Sequence, residues 1–380
     1  MDDDVLDDCA FVVDLGSGLC KAGFSGDESP RLSIPSIVGK TKYEKLVPFN
    51  VDDDSMSYLY VGDGAQCRRG LLRLRHPIDH GVIANWDDLE LLLENIFYNK
   101  LRCGADELPV LLTEATMSPK SQKEKLAELM FESLESTALH VANQLVLSHH
   151  ASASEGGIVL DVGDGVCQVL PMCYGSILTD AAQRVDMGGR DLTKHLVQLL
   201  NDRGCSFHTT AEHDIVRDIK EKTGYVAMDF DKEIQAADDV EKTYELPDYQ
   251  EVSVGRERFL ASEPLFQPKL VGRECPSVHA LVHDSIMKCD VDLRKLLYGN
   301  ITVVGGCSMF PGFLERLERE LTAMAPAAMP VKVVAPPERK EYAWIGGSIL
   351  ASMSNFRSLW VTKKEYDEHG GRIVQQKCGL

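Results

Sequence analysis

Hydrophobic residues along the chain follow two patterns, which together predict an α/β protein. Short apolar runs, such as "VVDL" at residues 12–15 and "IVLDV" at residues 158–162, are typical of buried strands. Longer stretches, such as residues 85–101 and 189–204, carry apolar residues at spacings of three and four and predict amphipathic helices. Because strands and then helices follow in the same order twice along the chain, we expect a duplicated α/β fold with mixed β-sheets.

Capping residues mark the predicted starts of two helices. Asn85 precedes a helix whose first turn is acidic, and Ser118 precedes Pro119, a residue favoured at the first helical position. We therefore expect Asn85 and Ser118 to cap these helices. Residues 249–268 are expected to form a strand followed by a loop.

Two segments repeat the design of a strand, an acid and a glycine turn: "VVDLGSGLCK" at residues 12–21 and "IVLDVGDGVCQ" at residues 158–168. Gly16 and Gly18 are expected to permit turn geometries that other residues resist. A single glycine turn in a hairpin usually does no more than reverse the chain. Two matched copies, each led by an acid at a strand end, favour a pair of phosphate-binding turns.

Such a pair can act as a clamp if the two turns face each other across a cleft. Backbone N–H groups bind phosphate oxygens, and Lys21 adds a positive charge. Asp14 and Asp161 would point into the same cleft, where two carboxylates can hold a hydrated Mg²⁺. The backbone donors are expected from Ser17, Gly18 and Leu19 in the first turn and from Gly163, Asp164, Gly165 and Val166 in the second.

Two further motifs could contact a nucleotide. In "VVGGCSMFPG", Gly305 and Gly306 would let a flat ring or a sugar lie close to the backbone, although a simple strand–helix corner explains them equally well. In "IVRDIKEK", Arg217, Lys220 and Glu221 share one helix face, and an exposed face with salt bridges is the alternative. Neither hairpin turn matches a Walker loop or a dinucleotide fingerprint.

Composition narrows the classes of function. The chain has 380 residues, enough for two or more domains, and a net charge of -19. This acidity disfavours nucleic acid and suits basic protein partners, cations and ligands that arrive with Mg²⁺. The eleven cysteines include no CxxC pair, which disfavours a zinc site or a redox pair. The sequence shows no apparent leader or membrane span, so we expect reduced thiols in the cytoplasm or nucleus and no membrane partner. The acidic N-terminal stretch is expected to be mobile or to dock a basic partner.

A series of long motifs in order closely resembles the actin family. They include "DLGSGLCKAGFSGDESPR", "HPIDHGVIANWDDLE", "VLDVGDGV", "IVRDIKEK", "APPERK" and "WIGGSILASMS", and the resemblance covers nearly the whole chain. It implies a two-lobed fold in which ribonuclease-H-like cores surround a cleft for ATP or ADP with Mg²⁺ or Ca²⁺. Four subdomains are implied: residues 1–36, 78–151 and 343–380; residues 37–77; residues 152–188 and 277–342; and residues 189–276.

The resemblance also implies roles for individual residues. Asp14, Gln144 and Asp161 would hold the water shell of the metal and the attacking water, with Gln168 beside them. Gly16, Gly163 and Gly305 belong to the turns around the nucleotide. The sugar and adenine would be lined by Gly189, Arg217, Lys220, Glu221, Gly306, Met309, Phe310 and Lys340. The implied activity is a slow ATPase that assembly into filaments stimulates, with Gln144 orienting water because an amide is not a useful base.

Several positions depart from the usual pattern of the family. Gln168 stands where a histidine beside the attacking water is usual, which could slow hydrolysis, and Cys167 precedes it in place of threonine. Leu15 replaces an asparagine, while Cys307 and Phe310 replace a threonine and a tyrosine. The loop from Lys40 to Tyr60 is long and divergent, and the chain ends "KCGL" instead of in an aromatic residue.

The expected partners follow from the resemblance. They are other copies of the chain or other actins in a filament, binding proteins at the cleft between the first and third subdomains, and myosin or dynein-arm components. The expected location is the cytoplasm and cytoskeleton. The alternative is an actin-related subunit of an axonemal dynein arm, a chromatin remodeller or a dynein-activating complex, in the axoneme or nucleus. A small-molecule kinase is disfavoured, because it would need a carboxylate base where Gln144 stands.

Overall fold

The computed structural model describes residues 9–42, 59–236 and 240–379. The acidic N-terminal stretch and most of the divergent loop between Lys40 and Tyr60 lie outside these residues. The chain forms two compact units. The first comprises Met1–Ala151 and Glu341–Leu380, and the second comprises Ser152–Lys340. The finer division into four subdomains stays a prediction.

The strands are short, and most belong to two large sheets. In chain order they are β1 (Phe11–Leu15), β2 (Leu19–Phe24), β3 (Leu32–Pro35), β4 (Val38–Thr41), β5 (Leu59–Val61), β6 (Leu72–Arg75), β7 (Ile78–Asp79), β8 (Val82–Ile83), β9 (Val110–Glu114), β10 (Ala138–Asn143), β11 (Gly156–Val162), β12 (Cys167–Cys173), β13 (Ser176–Ile177), β14 (Gln183–Val185), β15 (Lys242–Glu245), β16 (Glu251–Val254), β17 (Ile301–Val304), β18 (Val333–Val334) and β19 (Val361–Thr362).

Helices follow the strands in both units. They are α1 (Asp63–Cys67), α2 (Trp86–Glu94), α3 (Lys120–Glu128), α4 (Gln144–Ser152), α5 (Gly189–Asp202), α6 (Thr210–Thr223), α7 (Phe230–Gln235), α8 (Glu257–Leu260), α9 (Val278–Lys288), α10 (Val291–Gly299), α11 (Phe313–Met324), α12 (Tyr342–Ala351), α13 (Lys363–His369) and α14 (Arg372–Lys377). Among the described helices, none combines the length and the apolar character that crossing a membrane requires.

The two large sheets have matching strand orders. In the first unit the order is β3-β2-β1-β9-β10-β19, and in the second it is β13-β12-β11-β17-β18, with β14 also paired to β12. In each sheet an antiparallel hairpin is followed by two parallel strands, β9 and β10 in one and β17 and β18 in the other. The predicted fold class, an α/β protein with duplicated cores and mixed sheets, is therefore confirmed.

Alternation along β1 explains how one strand serves two cores. Phe11 and Val13 pack into the larger core of the first unit, whereas Ala10 and Val12 pack on the other side of the sheet with Trp344 of α12. Successive side chains of a strand point to opposite faces, so a strand buried on both sides must be apolar throughout. Asp14 is the exception in β1, and its position decides where the polar chemistry of this unit lies.

The predicted helix starts are correct at one position and wrong at the other. The Asn85 side chain accepts the Asp88 N–H at 3.0 Å, as a capping residue should. Ser118 instead donates its hydroxyl hydrogen to the carbonyl of Ala115 at 2.8 Å. Pro119 has an extended backbone and is the last residue before α3, so Ser118 stands one position too early to cap it.

Two other segments differ from their sequence-based interpretation. The helix predicted over residues 85–101 changes at Asn95 into a π-helical segment, Asn95–Leu101, and this wider turn keeps Ile96 and Phe97 buried. The region after β16, expected to be a loop, contains α8 and two 3₁₀ turns, Glu263–Leu265 and Pro268–Val271. Each 3₁₀ turn has a proline near its start, a position that suits a helical first turn.

A buried histidine lies beneath the C-terminal helices of the first unit. The ring of His140 packs edge-on against Phe356, and its Nδ1 lies 3.1 Å from the carbonyl oxygen of Leu359. Burial lowers the pKa of His140 to about 4; the Leu359 hydrogen bond opposes this shift, and the charges of Lys123 and Lys377 add to it. The imidazole is therefore neutral in the folded protein throughout the mildly acidic range.

We expect His140 to make the protein sensitive to mild acid. In the unfolded chain His140 is protonated below about pH 6.5, whereas in the folded protein it is protonated only below about pH 4. Because protons bind more tightly to the unfolded chain in this range, the free energy of unfolding decreases as the pH falls from 6.5 to 4. The loss should reach about 3 kcal/mol. Urea unfolding from pH 4 to 7 should show a shallower acid slope for His140→Gln than for the native chain. His208→Gln, at an exposed position, is the control. Equal slopes in all three proteins would contradict the assignment.

Candidate functional site

The first glycine turn joins β1 to β2, and a buried polar network lies at its base. Asp14 faces Lys21 in the antiparallel register. Lys21 Nζ donates to Asp14 Oδ2 at 2.7 Å, and Thr113 Oγ1 and Gln144 Nε2 donate to Asp14 Oδ1 at 2.8 and 2.9 Å. The structure thus places two sequence-predicted residues, Lys21 and Gln144, in contact with the carboxylate of a third, Asp14.

Asp14 is stabilised as an anion in spite of its burial. Burial alone raises the pKa of this carboxyl, but the charge and hydrogen bond of Lys21 and the hydrogen bonds of Thr113 and Gln144 outweigh it. The net pKa of Asp14 therefore lies below its ordinary value. A carboxylate that stays ionised is a suitable partner for a hydrated divalent cation.

Gln144 is fixed by several acceptors at the start of α4. Besides Asp14, its Nε2 donates to Thr113 Oγ1 at 3.2 Å and approaches the carbonyl oxygen of Leu15 at 3.5 Å. The cap of this helix is Asn143, whose Oδ1 accepts the Leu145 N–H at 2.9 Å. The cap is therefore supplied by the residue before Gln144, and the Gln144 amide contributes to the Asp14 network.

Gly16 is required by space and not by an unusual backbone angle. Its φ is not positive, but a Cβ at this position would lie 2.5 Å from the carbonyl oxygen of Leu19, so the turn resists other residues as expected. The Gly16 carbonyl accepts the Ser36 hydroxyl at 2.6 Å, and the Gly18 carbonyl accepts the Ser36 N–H at 3.0 Å. The turn is thus held tightly against the start of the next segment, which fixes the orientation of its backbone.

Ser17 has a contact that the sequence did not predict. Its hydroxyl accepts the N–H of Gly81 at 2.9 Å, so it joins the first turn to the β7–β8 hairpin. His80, the residue before Gly81, has a positive φ of 46°, and its Nδ1 lies 3.2 Å from a carboxylate oxygen of Asp79. The first turn is therefore supported from two sides, by Ser36 and by this hairpin.

The second glycine turn repeats the geometry of the first with one change of residue type. Asp161 stands one residue before the end of β11 and faces Gln168 in the register, as Asp14 faces Lys21. Gln168 is fully buried, and its Nε2 donates to Asp161 Oδ2 at 2.9 Å. The charged partner of the first acid is thus replaced at the second by a neutral amide, which orients Asp161 without neutralising it.

Gly163 and Asp164 are held by the start of α5. The Gly163 carbonyl accepts the Gly189 N–H at 3.0 Å, and the Asp164 carbonyl accepts the Arg190 N–H at 2.9 Å. Arg190 also pairs with the Asp164 carboxylate at 3.3 Å. Cys307 Sγ donates to the Gly163 carbonyl at 3.2 Å, which adds a contact from the segment after β17.

The two adjacent glycines after β17 have different roles. Gly305 has a φ of +92°, and a Cβ there would lie 2.2 Å from Asp161 Oδ1, so this glycine is required by the protein's own packing. A Cβ at Gly306 would meet no atom within 4 Å. The strand–helix corner therefore explains Gly305, and Gly306 keeps the open face that the approach of a ring or a sugar would need.

The three residues predicted on the face of α6 separate into two groups. Lys220 is buried, and its Nζ donates to the carbonyl of Gly189 at 2.6 Å. It therefore contacts the first residue of α5, which holds the second turn. Arg217 pairs with Asp214 at 2.8 Å and lies 3.9 Å from Glu221. The contacts of Arg217 and Glu221 are those of a helix face with salt bridges, which was the alternative interpretation. Lys220, in contrast, is buried.

The remaining predicted residues lie on segments next to these turns. Met309 ends the 3₁₀ turn Gly306–Met309 and is exposed, and Phe310 follows it and is buried. A Cβ at Gly224, just after α6, would lie 2.8 Å from the Phe310 ring. Lys340 is exposed, and the residue before it, Arg339, accepts the Gly305 N–H at 3.0 Å through its carbonyl.

Thr113 and Ser36 are parts of the first network that sequence reasoning missed. Thr113 accepts the Leu15 N–H at 2.9 Å while donating to Asp14, so it positions both the strand end and the carboxylate. The available signal was a hydroxyl at the end of an otherwise apolar strand, "VLLTE". Ser36 gave no comparable signal, because it stands between Pro35 and Ile37, and a serine after a proline is usual in a turn.

Each unit carries side-chain oxygens of the kind that divalent cations prefer. They come from Asp14 and Gln144 in the first unit and from Asp161 in the second. Within the described ranges, no three His, Cys, Asp or Glu side chains converge as a metal site.

Comparison with known families agrees with this arrangement. A family model described as Actin matches residues 6–379, nearly the whole chain. Members of this family generally have an ATPase fold and usually bind a nucleotide with a divalent cation. With the duplicated sheets and the two acid-led turns, this match shows that the chain belongs to the actin family.

Proposed function

We propose that this protein binds ATP or ADP with Mg²⁺, or Ca²⁺, and hydrolyses ATP slowly in a reaction that assembly into filaments accelerates. The observation that carries the proposal is the network around Asp14. A buried carboxylate is kept ionised by Lys21 and is contacted by Gln144, the residue proposed to orient water. A purely structural turn would not need a buried charge of this kind, because burying charges costs free energy.

Phosphate binding is assigned to the backbone of both turns. The donors in the first turn are Ser17, Gly18 and Leu19, beside Gly16 and the Lys21 charge. Those in the second turn are Gly163, Asp164, Gly165 and Val166. The proposal is supported by the tight fixation of both turns, since preorganised N–H groups bind anions without paying for reordering. The cation would neutralise charge on the phosphates, with Asp14, Asp161 and Gln144 holding its water shell.

The sugar and base are assigned to residues around the second turn. Lys220 and Gly306 have the strongest support, because one is a buried cation near Gly189 and the other has an open face. The rest of the set comprises Gly189, Arg217, Glu221, Gly305, Met309, Phe310 and Lys340. Gly305 would act through packing, because the space where its Cβ would stand is taken by the Asp161 carboxylate.

Hydrolysis is proposed to depend on positioning more than on base catalysis. Gln144 orients the attacking water, since an amide does not usefully accept a proton. Gln168 holds Asp161 through a donated hydrogen bond, so its amide nitrogen is committed to that carboxylate. Neither glutamine supplies a strong general base, which is consistent with a slow reaction.

The proposed partners are other copies of the chain or other actins in a filament, actin-binding proteins, and myosin or dynein-arm components, in the cytoplasm and cytoskeleton. Gln168 favours a second candidate, an actin-related subunit of a larger complex in which the nucleotide is mainly structural. A neutral side chain at this buried position removes a titratable group that could assist proton transfer. Such a subunit would belong to an axonemal dynein arm, a chromatin remodeller or a dynein-activating complex.

Sedimentation with a phosphate assay in the same tubes tests the proposal. The purified full-length chain is incubated with Mg-ATP across a concentration series and centrifuged. We expect pellet above a threshold concentration, and phosphate release that follows the amount of pellet, because assembly accelerates hydrolysis. Bound nucleotide without pellet and with little phosphate would favour the complex subunit. Absence of any bound nucleotide would contradict both candidates.

A further inference from the structure

Two cysteines of the first unit lie on the segments that lead into the adjacent parallel strands β1 and β9. Cys9 precedes β1, and Cys103 follows the π-helical segment Asn95–Leu101. We propose that Cys9 and Cys103 form a reversible disulfide by exchange with a low-molecular-weight disulfide such as oxidised glutathione. The pair is far apart in sequence and has no recognisable motif, so only the fold reveals it.

The register of β1 places Cys9 on the side of the sheet where Cys103 lies. The antiparallel pairing continues through Ala10, whose carbonyl accepts the Ser25 N–H at 2.8 Å, so the chain is extended here. Ala10 and Val12 face one core while Phe11 and Val13 face the other. Because side chains alternate along an extended segment, Cys9 lies on the Phe11 side.

Phe97 connects this side of the sheet to Cys103. The ring centroids of Phe11 and Phe97 are 5.0 Å apart, and the Phe97 carbonyl accepts the Cys103 N–H at 3.2 Å. Cys103 packs against the same core as both rings. Cys9 is near enough to add to the electrostatic environment of the Cys103 thiol. The β1–β9 register and the contacts through this aromatic pair therefore place the two cysteines on the same side of the sheet, at the end where both strands begin.

The exposure of the two thiols suits exchange with a small reagent. Both are partly exposed, whereas Cys20, Cys167, Cys173, Cys289, Cys307 and Cys378 are buried. The Arg31 guanidinium also lies within electrostatic range of Cys9. A neighbouring cation stabilises the thiolate, which is the attacking species in disulfide exchange. We therefore assign the first attack to Cys9, the member of this pair with a guanidinium nearby.

The exchange proceeds in two balanced steps. The Cys9 thiolate attacks one sulfur of oxidised glutathione, forms a mixed disulfide and releases one glutathione thiolate. Cys103 then loses its proton to solvent and attacks the Cys9 sulfur, and a second glutathione leaves as its thiolate. The two protein thiols are oxidised to one disulfide, and one oxidised glutathione is reduced to two glutathione molecules.

The surroundings of Cys103 make the second step slow at neutral pH. Burial, the hydrogen bond and charge of Glu107, and the charges of Cys9 and Asp106 together raise the pKa of this thiol to about 11. Its thiolate fraction grows about tenfold for each pH unit below that value. The mixed disulfide should therefore accumulate first and resolve faster as the pH rises.

The test follows the native full-length chain in oxidised glutathione at pH 7, 8 and 9 by intact mass and peptide mapping after quenching. We expect one glutathione adduct on Cys9, then its replacement by a species lighter than the starting protein by two hydrogen atoms, in which Cys9 and Cys103 are linked. Resolution should accelerate about tenfold per pH unit. An adduct that persists, with no 9–103 linkage at any pH, would overturn the proposal.

Matched variants separate the pair from the other thiols. Cys103→Ser should stop at the adduct, and Cys9→Ser should lose both species, while Cys67→Ser, at an exposed cysteine, should behave like the native chain. Glu107→Gln keeps an oxygen for the Gly104 N–H but removes the charge, so resolution should be about threefold faster or more. A linked species in either single Cys9 or Cys103 variant would assign the disulfide to other residues.

Discussion

Gln144→Ala is expected to slow phosphate release by about 10²-fold while leaving ATP affinity within a few-fold of the native value. The amide reaches Asp14, Thr113 and the Leu15 carbonyl, so its position is fixed before any ligand arrives. The alanine variant loses the group that orients water but keeps the Lys21 and Thr113 contacts of Asp14. Single-turnover hydrolysis and equilibrium binding of a fluorescent ATP analogue, measured on the same preparation, separate the two effects.

Gln375→Ala is the matched control for Gln144. Gln375 also donates its amide to a carboxylate in the first unit, at 2.7 Å from Glu124, but on α14 and away from the turns. Its loss should change neither hydrolysis nor binding. Reduced ATP affinity with unchanged single-turnover hydrolysis in Gln144→Ala would contradict a role in orienting water and would make Gln144 a binding residue.

The fold class could be predicted because strand and helix periods differ clearly in this sequence. Runs such as "FVVDL" and "GGIVLDV" are buried on both faces and stay apolar apart from one acid, and that acid marks the end of each strand. The duplication was visible for the same reason. The Ser118 cap failed because the choice between neighbouring capping positions depends on the ψ angle of Pro119, which the proline ring does not fix.

Sequence reasoning placed Asp14 and Asp161 near strand ends beside the turns, but it did not identify what the glycines contact. Gly16 was expected to permit a turn that other residues resist, and it does so because it avoids the Leu19 carbonyl. Gly305 was expected to give a ligand room, but it avoids Asp161 instead. These are contacts between residues distant along the chain or across a turn, and no local pattern encodes them. Thr113 was missed for the same reason, since its partner Asp14 is a neighbour only after β1 and β9 pair.

The pairing of Lys21 with the first acid and Gln168 with the second shows how duplicated hairpins can diverge. Both residues occupy the register position opposite the acid, seven residues along the chain. A lysine neutralises its carboxylate, whereas an amide only orients it. Asp14 and Asp161 therefore have different charged surroundings although both stand in the same kind of hairpin. Substitution of each acid should have different consequences.

Asp14→Asn is expected to reduce both stability and Mg-ATP binding. The substitution keeps the shape of the side chain but leaves the Lys21 ammonium, whose side chain is 11% exposed, without its anionic partner. Breaking a buried ion pair from one side costs about 3–5 kcal/mol, because the remaining charge stays desolvated. Urea unfolding without nucleotide measures this loss, and isothermal titration with Mg-ATP should show binding weakened at least about tenfold.

Two further variants distinguish the buried pair from a general effect of lost charge. Asp27→Asn breaks the Asp27–Arg31 pair, in which the Arg31 side chain is 57% exposed, and should cost about 0–1 kcal/mol with no effect on nucleotide binding. Asp14→Asn combined with Lys21→Met removes both buried charges and should recover most of the lost stability, but not the binding of Mg-ATP. Recovery of binding in the double variant would show that Asp14 serves only to neutralise Lys21. An unchanged unfolding free energy in the single variant would show that Lys21 finds another partner, and the Asp14–Lys21 pair would then not be what holds the first turn.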